Sequence, residues 1–204
     1  MNKMDEIIIA APRSKVFENE ELAFQGTLQD RETVEIIATN IADSYIAIRR
    51  GDAEEQPKYK QPIPYAIIQR GDDIYLYERL SGGGETRLHN KLSLGVGGHM
   101  NPIDDVEDFG EVLAINLERE LEEELIITDK DFKVTPIGLI NDDSDPVGEV
   151  HIGVLCVIKV SEDSEVYVRE VDQLAGWWIS LEELKQKEVF DRLENWSKIA
   201  VDIL

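Results

Sequence analysis

The amino-acid sequence predicts an α+β protein, an α/β/α sandwich in which a mixed β-sheet lies between helices. Short apolar segments of strand-like composition recur along the 204 residues, and one amphipathic helical segment, 111–124, lies among them. Near the C-terminus, strand-like WWIS is followed by LEEL, whose composition favours a helix. This order of elements predicts a core domain over residues 61–204 and an N-terminal extension over residues 1–60.

The extension carries elements of its own. Ile7–Ala11 is a short apolar strand candidate, and Arg31–Ile41 has helical character with Asp30 as its N-cap. A second strand candidate, Tyr45–Arg49, precedes a polar turn. These elements need a surface to cover, so we expect the extension to pack on the core or on a second subunit. Of these two arrangements we favour a homodimer.

The core domain has a β-rich pattern. YAIIQ and DIYLYER are separated by Arg70-Gly71-Asp72, which predicts a β-hairpin. A glycine-rich segment and LSLGVGG then lead to the amphipathic helix. We predict strands over Val134–Ile140 and Val150–Val160, joined by the acidic turn NDDSDPVGE. The chain is predicted to end with WWIS and two short helices.

Composition and charge narrow the function classes. The formal net charge is −22, from 43 acidic and 21 basic residues, which argues against electrostatic binding to nucleic acid or to an anionic membrane. The single cysteine, Cys156, lies in an apolar segment and is predicted to be a buried thiol, which fits the reducing cytoplasm. Ile7–Ala11 is too short for a signal peptide, and no apolar segment approaches transmembrane length. We expect a soluble cytoplasmic enzyme.

The most informative feature is an excess of glutamates at one end of the helix over 111–124. A helix C-terminus carries a partial negative charge, so anions there are disfavoured by roughly 0.3–1 kcal/mol each. Like charges one turn apart add a similar penalty. One interpretation is a bound divalent cation, and the other is a solvated acidic face. The residues concerned are Glu118, Glu120, Glu122, Glu123 and Glu124, with Arg119 among them.

Helical spacing divides these side chains into two groups. At about 100° per residue, Ala114, Leu117, Leu121 and Leu125 form one apolar stripe. Three glutamates lie in the arc beside this stripe, whereas Glu118 and Glu122 point to the far side. Carboxylate oxygens that converge at the rim of a buried face suit Mg²⁺, Mn²⁺ or Ca²⁺ and do not suit zinc. The three glutamates are Glu120, Glu123 and Glu124.

The segment Gly97–Ile127 resembles the Nudix box, whose pattern is G-x5-E-x7-R-E-U-x-E-E-x-G-U with U apolar. Glu111 is followed by seven residues and then by Arg119-Glu120, Leu121, Glu123-Glu124 and Ile127 at the required spacing. The resemblance is close over about thirty residues and looser from Pro64 to the C-terminus. It implies a Nudix fold and a Nudix-type pyrophosphohydrolase.

Two positions depart from this pattern. Asp105 stands where the box has its glycine, and the Gly97-Gly98 pair lies further upstream. We interpret residues 99–109 as an enlarged loop, because loops tolerate insertions at small entropic cost. Ile126 replaces the glycine that would cap the helix C-terminus. We therefore expect this helix to end differently, near Thr128-Asp129.

The resemblance implies roles for individual residues. Glu120, Glu123, Glu124 and the backbone carbonyl of Gly97 would bind Mg²⁺ or Mn²⁺. Arg119 would orient the glutamates, and Glu111 would support the site through water or hydrogen bonds. Such cations bridge phosphate oxygens to carboxylates, which allows an acidic site to hold a diphosphate. The implied substrate is a small phosphorylated compound, nucleoside diphosphate-linked or similar.

Several other residues could take part in catalysis or binding, or could have only a structural role. Glu149 is a candidate extra base, expected to share a strand face with His151, and Glu170 is a candidate further metal ligand. His99 could contact phosphate or metal, or it could structure its loop. Three basic residues before the box could contact a distal phosphate or be surface charges. They are Arg79, Arg87 and Lys91.

Two other functions remain open on the same fold. LGVGGH resembles a segment of isopentenyl diphosphate isomerases, but Gly97 stands where the catalytic cysteine belongs. A non-catalytic Nudix domain that binds a regulatory ligand is the other alternative. Such domains often lose box glutamates, and this chain has kept them. The sequence favours the hydrolase and leaves its substrate undefined.

Overall fold

A computed structural model describes residues 2–80, 91–129, 131–169, 171–172 and 174–204. The strands are β1 Ile7–Pro12, β2 Gly26–Leu28, β3 Ile46–Arg49, β4 Tyr59–Arg70, β5 Asp73–Arg79, β6 Leu92–Ser93, β7 Gly95–Val96, β8 Leu125–Ile127, β9 Lys133–Asn141, β10 His151–Lys159, β11 Val166–Val168 and β12 Leu174–Ser180. The helices are α1 Arg13–Val16, α2 Arg31–Ser44, α3 Arg50–Glu54, α4 Phe109–Glu124, α5 Pro146–Val150, α6 Leu181–Leu184, α7 Lys187–Phe190 and α8 Asn195–Val201, after a 3₁₀ turn over Lys3–Asp5.

A mixed β-sheet with helices confirms the predicted α+β class. Its main strand order is β12-β5-β4-β10-β9-β2. The ladders β12–β5, β4–β5 and β2–β9 are antiparallel, and Leu92 forms a parallel bridge with Leu193. The predicted hairpin is present, with Gln69 opposite Ile74 and Arg70 opposite Asp73.

The chain divides into two compact units. The first unit comprises residues 1–64, 98–118 and 137–155, and the second comprises residues 65–97, 119–136 and 156–204. The N-terminal segment thus belongs to a unit that also contains later parts of the chain. The proposed boundary at residue 60 stays a prediction.

The first unit buries an apolar core between α2 and its neighbouring strands. As predicted, Asp30 caps α2, since its side chain accepts a hydrogen bond from the Thr33 amide at 3.0 Å. The helix continues to Ser44, beyond the predicted end, and β1 pairs antiparallel with β3 as the two predicted strands. The buried side chains of this core are Ala11, Val16, Phe17, Ile37, Ile41, Leu139 and Ile152.

Residues 99–108 form a loop that is fixed to the first unit. They contain no helix or strand, as predicted, yet Met100 is buried against Ile9 and Val112. The Met100 carbonyl accepts a hydrogen bond from the Ile9 amide at 2.8 Å. On α4, the buried Asn116 side chain accepts from the Asn101 amide at 2.8 Å and donates to the Asn101 carbonyl at 2.9 Å. The loop therefore contributes to the core.

A buried lysine links separate segments of the first unit. Lys60 is fully buried, and its Nζ donates to Asp143 at 2.7 Å and to the carbonyls of Gly148 and His151 at 3.0 and 3.2 Å. Burial lowers the pKa of Lys60, and the Asp143 carboxylate opposes this shift. Arg13 also binds Asp143, at 2.8 Å. A Cβ at Gly148 would lie 1.7 Å from the Asp142 carbonyl oxygen, so only glycine fits there.

The second unit is built around the β12–β5–β4 ladders and the C-terminal helices. Within it the Tyr65 hydroxyl hydrogen-bonds Glu194 at 2.6 Å, and the Glu194 side chain caps α8. The predicted WWIS strand and LEEL helix are present as β12 and α6, and a capping box of Ser180 and Glu183 starts α6. Three short helices follow β12, where two were predicted. Cys156 is buried as predicted, and burial raises its pKa to about 12.

One sequence expectation about the β9–β10 connection is wrong. Glu149 does not share a strand face with His151, because it lies on the short helix α5 and the strand begins only at His151. The reason is local. The Asp145 side chain accepts hydrogen bonds from the amides of Val147 and Gly148, and Pro146 stands at the first helical position.

Among the described residues, no helix combines the length and apolar composition needed to cross a bilayer.

Replacing Asp143 by Asn should lower the free energy of unfolding by roughly 3 kcal/mol. This loss is near the lower end of the range for breaking a buried ion pair, because the Asp143 side chain is 29% exposed. The substitution leaves the buried Lys60 ammonium without its carboxylate. The measurement is urea unfolding followed by circular dichroism. Glu20→Gln removes an exposed carboxylate from Arg13 and serves as the control, with an expected loss below about 1 kcal/mol. Equal losses in both variants would contradict a special role for the Lys60 pair.

Candidate active site

The acidic helix α4 starts at a clear capping signal. The Asp108 side chain accepts a hydrogen bond from the Glu111 amide at 2.8 Å, and its carbonyl accepts from the Val112 amide at 3.0 Å. This places Glu111 in the first turn, where a carboxylate favours the helix dipole. The predicted helix start at Gly110-Glu111 is therefore confirmed to within one residue.

The buried face of α4 differs in one place from the predicted stripe. Leu117 and Leu121 are buried as expected, but Ala114 is exposed. Its place is taken by Asn116, which is buried because the Asn101 backbone satisfies its amide. Hydrophobic spacing does not signal a buried asparagine. The other glutamates, Glu118 and Glu122, are exposed, as the spacing predicted.

Arg119 joins two of the three predicted metal-binding glutamates. Its guanidinium lies 2.8 Å from Glu120 and 3.3 Å from Glu123, where the one-turn spacing had placed it. The three side chains differ in exposure, since Glu120 is 12% exposed, Glu123 is 61% exposed and Glu124 is half-buried. The last two turns of α4 thus present carboxylates along the edge of its buried face.

The environment of Glu120 disfavours its charged form. The pKa of Glu120 is raised to about 7, chiefly by burial; Arg119 opposes this shift, and the neighbouring Glu123 and Glu124 carboxylates contribute to it. A divalent cation would relieve this repulsion, and a set of carboxylate oxygens matches the preference of Mg²⁺ and Mn²⁺. The residues present therefore fit the metal that the box pattern implies.

The helix ends at Glu124, so the expected end near Thr128-Asp129 is wrong. The next residues form β8, which pairs with β11, placing Leu125 opposite Val168. In place of the missing glycine, Arg169 hydrogen-bonds backbone carbonyls at the helix end. Its amide donates to the Glu124 carbonyl at 2.8 Å, and its guanidinium donates to the Leu125 carbonyl at 3.3 Å. Pairing of this strand, rather than a left-handed cap, terminates α4.

The glycine region before the helix has two notable positions. Gly97 and Gly98 are half-buried in irregular backbone that follows β7. Asp105, which stands at the box glycine position, has a φ of +62°. This left-handed conformation favours glycine, and aspartate is one of the few other residues that adopt it readily. The backbone at this position thus has a glycine-like conformation, while metal binding by the Gly97 carbonyl stays a prediction.

The remaining predicted site residues fall in different places. Lys91 is exposed, and Glu149 is half-buried on α5. Arg87 and Glu170 lie outside the described residues, as does the side chain of Arg79 on β5. The contacts of α4 therefore bring together Arg119, Glu120 and Glu123, and the wider set stays a prediction.

A second polar cluster was not found by the sequence analysis. The Nε2 atom of His99 lies 3.4 Å from Oε1 of Glu54 and 3.1 Å from Nε2 of His151. The pKa of Glu54 is lowered to about 2, chiefly by its hydrogen bond with His99. Burial and the neighbouring His99 lower the pKa of His151 to about 4. Glu54 carries no sequence signal, because it lies 45 residues before His99 on a different element.

Comparison with known proteins places the chain in a family. It is 53% identical over 205 aligned positions to Protein YmaB of Bacillus subtilis (strain 168), across the full length of both chains. The solved structure of Tm1382, a proposed Nudix hydrolase, is 28% identical with a TM-score of 0.77 and 97% coverage of each chain. DR0079 from Deinococcus radiodurans shares the fold, with a TM-score of 0.54 at 16% identity, over 78% of this chain and 90% of its own. No protein-family model matches the sequence. Together with the box on α4, these similarities show that the chain belongs to the Nudix hydrolase superfamily.

Glu120→Gln should stabilise the metal-free protein at pH 8 and leave it nearly unchanged at pH 4.5. The pKa of Glu120 rises on folding from 4.5 to about 7. Below pH 4.5 the carboxyl is protonated in both states and costs no stability, and as the pH rises through 7 its ionisation destabilises the folded protein. The difference at pH 8 should reach up to roughly 3 kcal/mol. Urea unfolding in a chelating buffer measures it, with the exposed Glu122→Gln as control. An equal effect of Glu120→Gln at both pH values would contradict the repulsion at Glu120.

Proposed function

We propose that this Nudix-type hydrolase uses Mg²⁺ or Mn²⁺ to cleave the diphosphate linkage of a nucleoside diphosphate-linked or similar small molecule. The observation that carries the proposal is the cluster on α4. Its charged residues match the box at every position, and Arg119 holds two of the carboxylates together. The resemblance to Tm1382 along the whole chain supports the same reaction class.

The proposed metal ligands are Glu120, Glu123, Glu124 and the Gly97 carbonyl. When bound, the cation neutralises charge on the diphosphate and lowers the pKa of a coordinated water. Arg119 keeps the Glu120 and Glu123 side chains close to each other against their mutual repulsion. Because Glu120 is largely buried, its carboxylate is fixed in position more firmly than the exposed Glu123.

Further residues are proposed to have supporting roles in the reaction. Glu111, exposed on the first turn of α4, is proposed to support the metal ligands through water or hydrogen bonds. Glu149 is a proposed additional base on α5, and Glu170 is a proposed additional ligand. The basic residues Arg79, Arg87 and Lys91 are proposed to bind the distal part of the substrate, and His99 is proposed to contact a substrate phosphate directly or through a metal ion. The net charge of −22 favours a substrate of limited negative charge. We also propose that the protein is cytoplasmic and forms a homodimer.

The isomerase alternative is less well supported. Gly97 replaces the cysteine of that family, and Cys156 is fully buried with a pKa raised to about 12. A thiol in such surroundings stays protonated and unreactive. The non-catalytic alternative is disfavoured because the chain has retained the charged box residues.

The activity is tested by a screen of diphosphate compounds with Mg²⁺ or Mn²⁺, in which phosphate release is read after phosphatase treatment. Glu124→Gln should lower turnover of the best substrate roughly a hundredfold or more, because a metal ligand contributes several kcal/mol to the transition state. The fold should be intact by circular dichroism. Glu122→Gln removes a neighbouring exposed carboxylate and should keep full activity. Undiminished turnover in Glu124→Gln would refute the metal-site assignment.

Mg²⁺ or Mn²⁺ should also raise the melting temperature of the intact protein. A cation that binds only the folded state adds about 2.7 kcal/mol at a hundredfold excess over its dissociation constant. Thermal unfolding during a metal titration measures this gain, and Glu123→Gln should reduce it. A melting temperature that does not respond to either cation would favour the solvated acidic face instead.

A further inference from the structure

Glu54, His99 and His151 form a compact polar cluster within the first unit. They come from three separate segments, namely the end of α3, the loop after the glycine pair, and the first residue of β10. One ligand atom from each residue lies within 4.8 Å of the other two. His151 is buried, and the side chains of His99 and Glu54 are 13% and 19% exposed. The cluster is therefore mostly shielded from water.

The tautomer of His151 leaves a nitrogen lone pair directed into the cluster. Its Nδ1 atom lies 2.6 Å from the Val147 carbonyl oxygen, which can only accept a hydrogen bond. Nδ1 therefore carries the proton, and Nε2 presents its lone pair towards His99. Histidines that bind metals characteristically donate their other ring N–H to a backbone carbonyl in this way.

Glu54 is also held in place by a neighbour. Arg50, one turn earlier on α3, donates from Nε to the Glu54 carboxylate at 3.2 Å. Its guanidinium also approaches Glu6 at 3.8 Å. This ion pair orients the carboxylate, as a ligand position requires.

Two of the three separations within the cluster match those between the ligands of one metal ion. Zinc binds nitrogen and carboxylate oxygen at roughly 2.0–2.2 Å, so neighbouring atoms of a tetrahedral site lie about 3.3 Å apart. The observed separations of 3.1 and 3.4 Å lie on either side of this value. The third pair, Glu54 and His151, lies within 4.8 Å, so the three atoms can share one ion once these two groups approach each other.

We propose that Glu54, His99 and His151 form a binding site for Zn²⁺ or a chemically similar transition-metal ion, distinct in its ligands from the glutamates of α4. Two imidazoles and one carboxylate favour zinc over magnesium, which prefers oxygen ligands. Three protein ligands leave a fourth position for water or a substrate group. The inference rests on this geometry alone and does not require the proposed hydrolase activity.

A metal ion at this site would connect the start of the 99–108 loop to α3 and β10. These three segments lie far apart in sequence, and within the first unit the ion would link them through one centre. The loop begins directly after the glycine pair of the box, so its conformation would depend on the metal.

The test is Co²⁺ binding in the presence of excess Mg²⁺, which occupies carboxylate-only sites. The intact chain should bind one Co²⁺ with the visible absorption of a tetrahedral ion, and Zn²⁺ should displace it. His99→Ala and Glu54→Gln should each weaken binding more than about tenfold, since even loss of an outer-shell partner costs roughly 10–100-fold. Glu55→Gln, the adjacent exposed carboxylate, is the matched control.

A second measurement needs no substitution, so it holds even if a variant fails to fold. In ¹⁵N-histidine-labelled protein, one equivalent of Zn²⁺ should shift the Nε2 resonances of His99 and His151 and leave His89 unchanged. The proposal is overturned if the intact chain binds no Co²⁺, if a folded His99→Ala or Glu54→Gln variant binds it unchanged, or if the two histidine resonances do not respond.

Discussion

Repulsion among carboxylates at the negative end of α4 is the constraint on which the rest of the site depends. The helix keeps Glu120, Glu123 and Glu124 at its edge although each opposes the helix dipole there. Arg119 offsets part of this repulsion within the helix. Arg169 offsets part of it from outside, because it donates to the last backbone carbonyls. At the opposite end, Asp108 caps the first turn with the favourable sign of charge.

Contacts at both ends of α4 explain how the helix stays intact although it carries mutually repelling glutamates. The β8–β11 ladder continues directly from the last turn and leaves no free helix end. On the other side, the Asn101–Asn116 hydrogen bonds attach the helix to the loop before it. A rigid helix that is fixed in this way is suited to present several carboxylates to one ion, because their positions are set before the ion arrives.

Local signals predicted much of this structure, and long-range contacts account for what they missed. The box spacing predicted α4 and the Arg119 ion pairs because both depend on residues within one or two turns. The predicted helix end was wrong, because strand pairing between residues 39 to 43 apart in sequence cannot be seen in the helix itself. The sequence reasoning also overlooked α5, although Asp145-Pro146 is a local start signal. Glu54 was missed because only the fold brings it to His99.

The buried Lys60 has a consequence for the order in which the chain can mature during synthesis. Its acceptors at Asp143, Gly148 and His151 follow it by 83, 88 and 91 residues. At translation rates of about 5–20 residues per second, the N-terminal segment waits roughly 5–20 s for them. Until then an ammonium group that the finished protein buries must remain hydrated, so the strand that carries it stays open. The buried network around Lys60 can therefore be completed only after β10 has been synthesised.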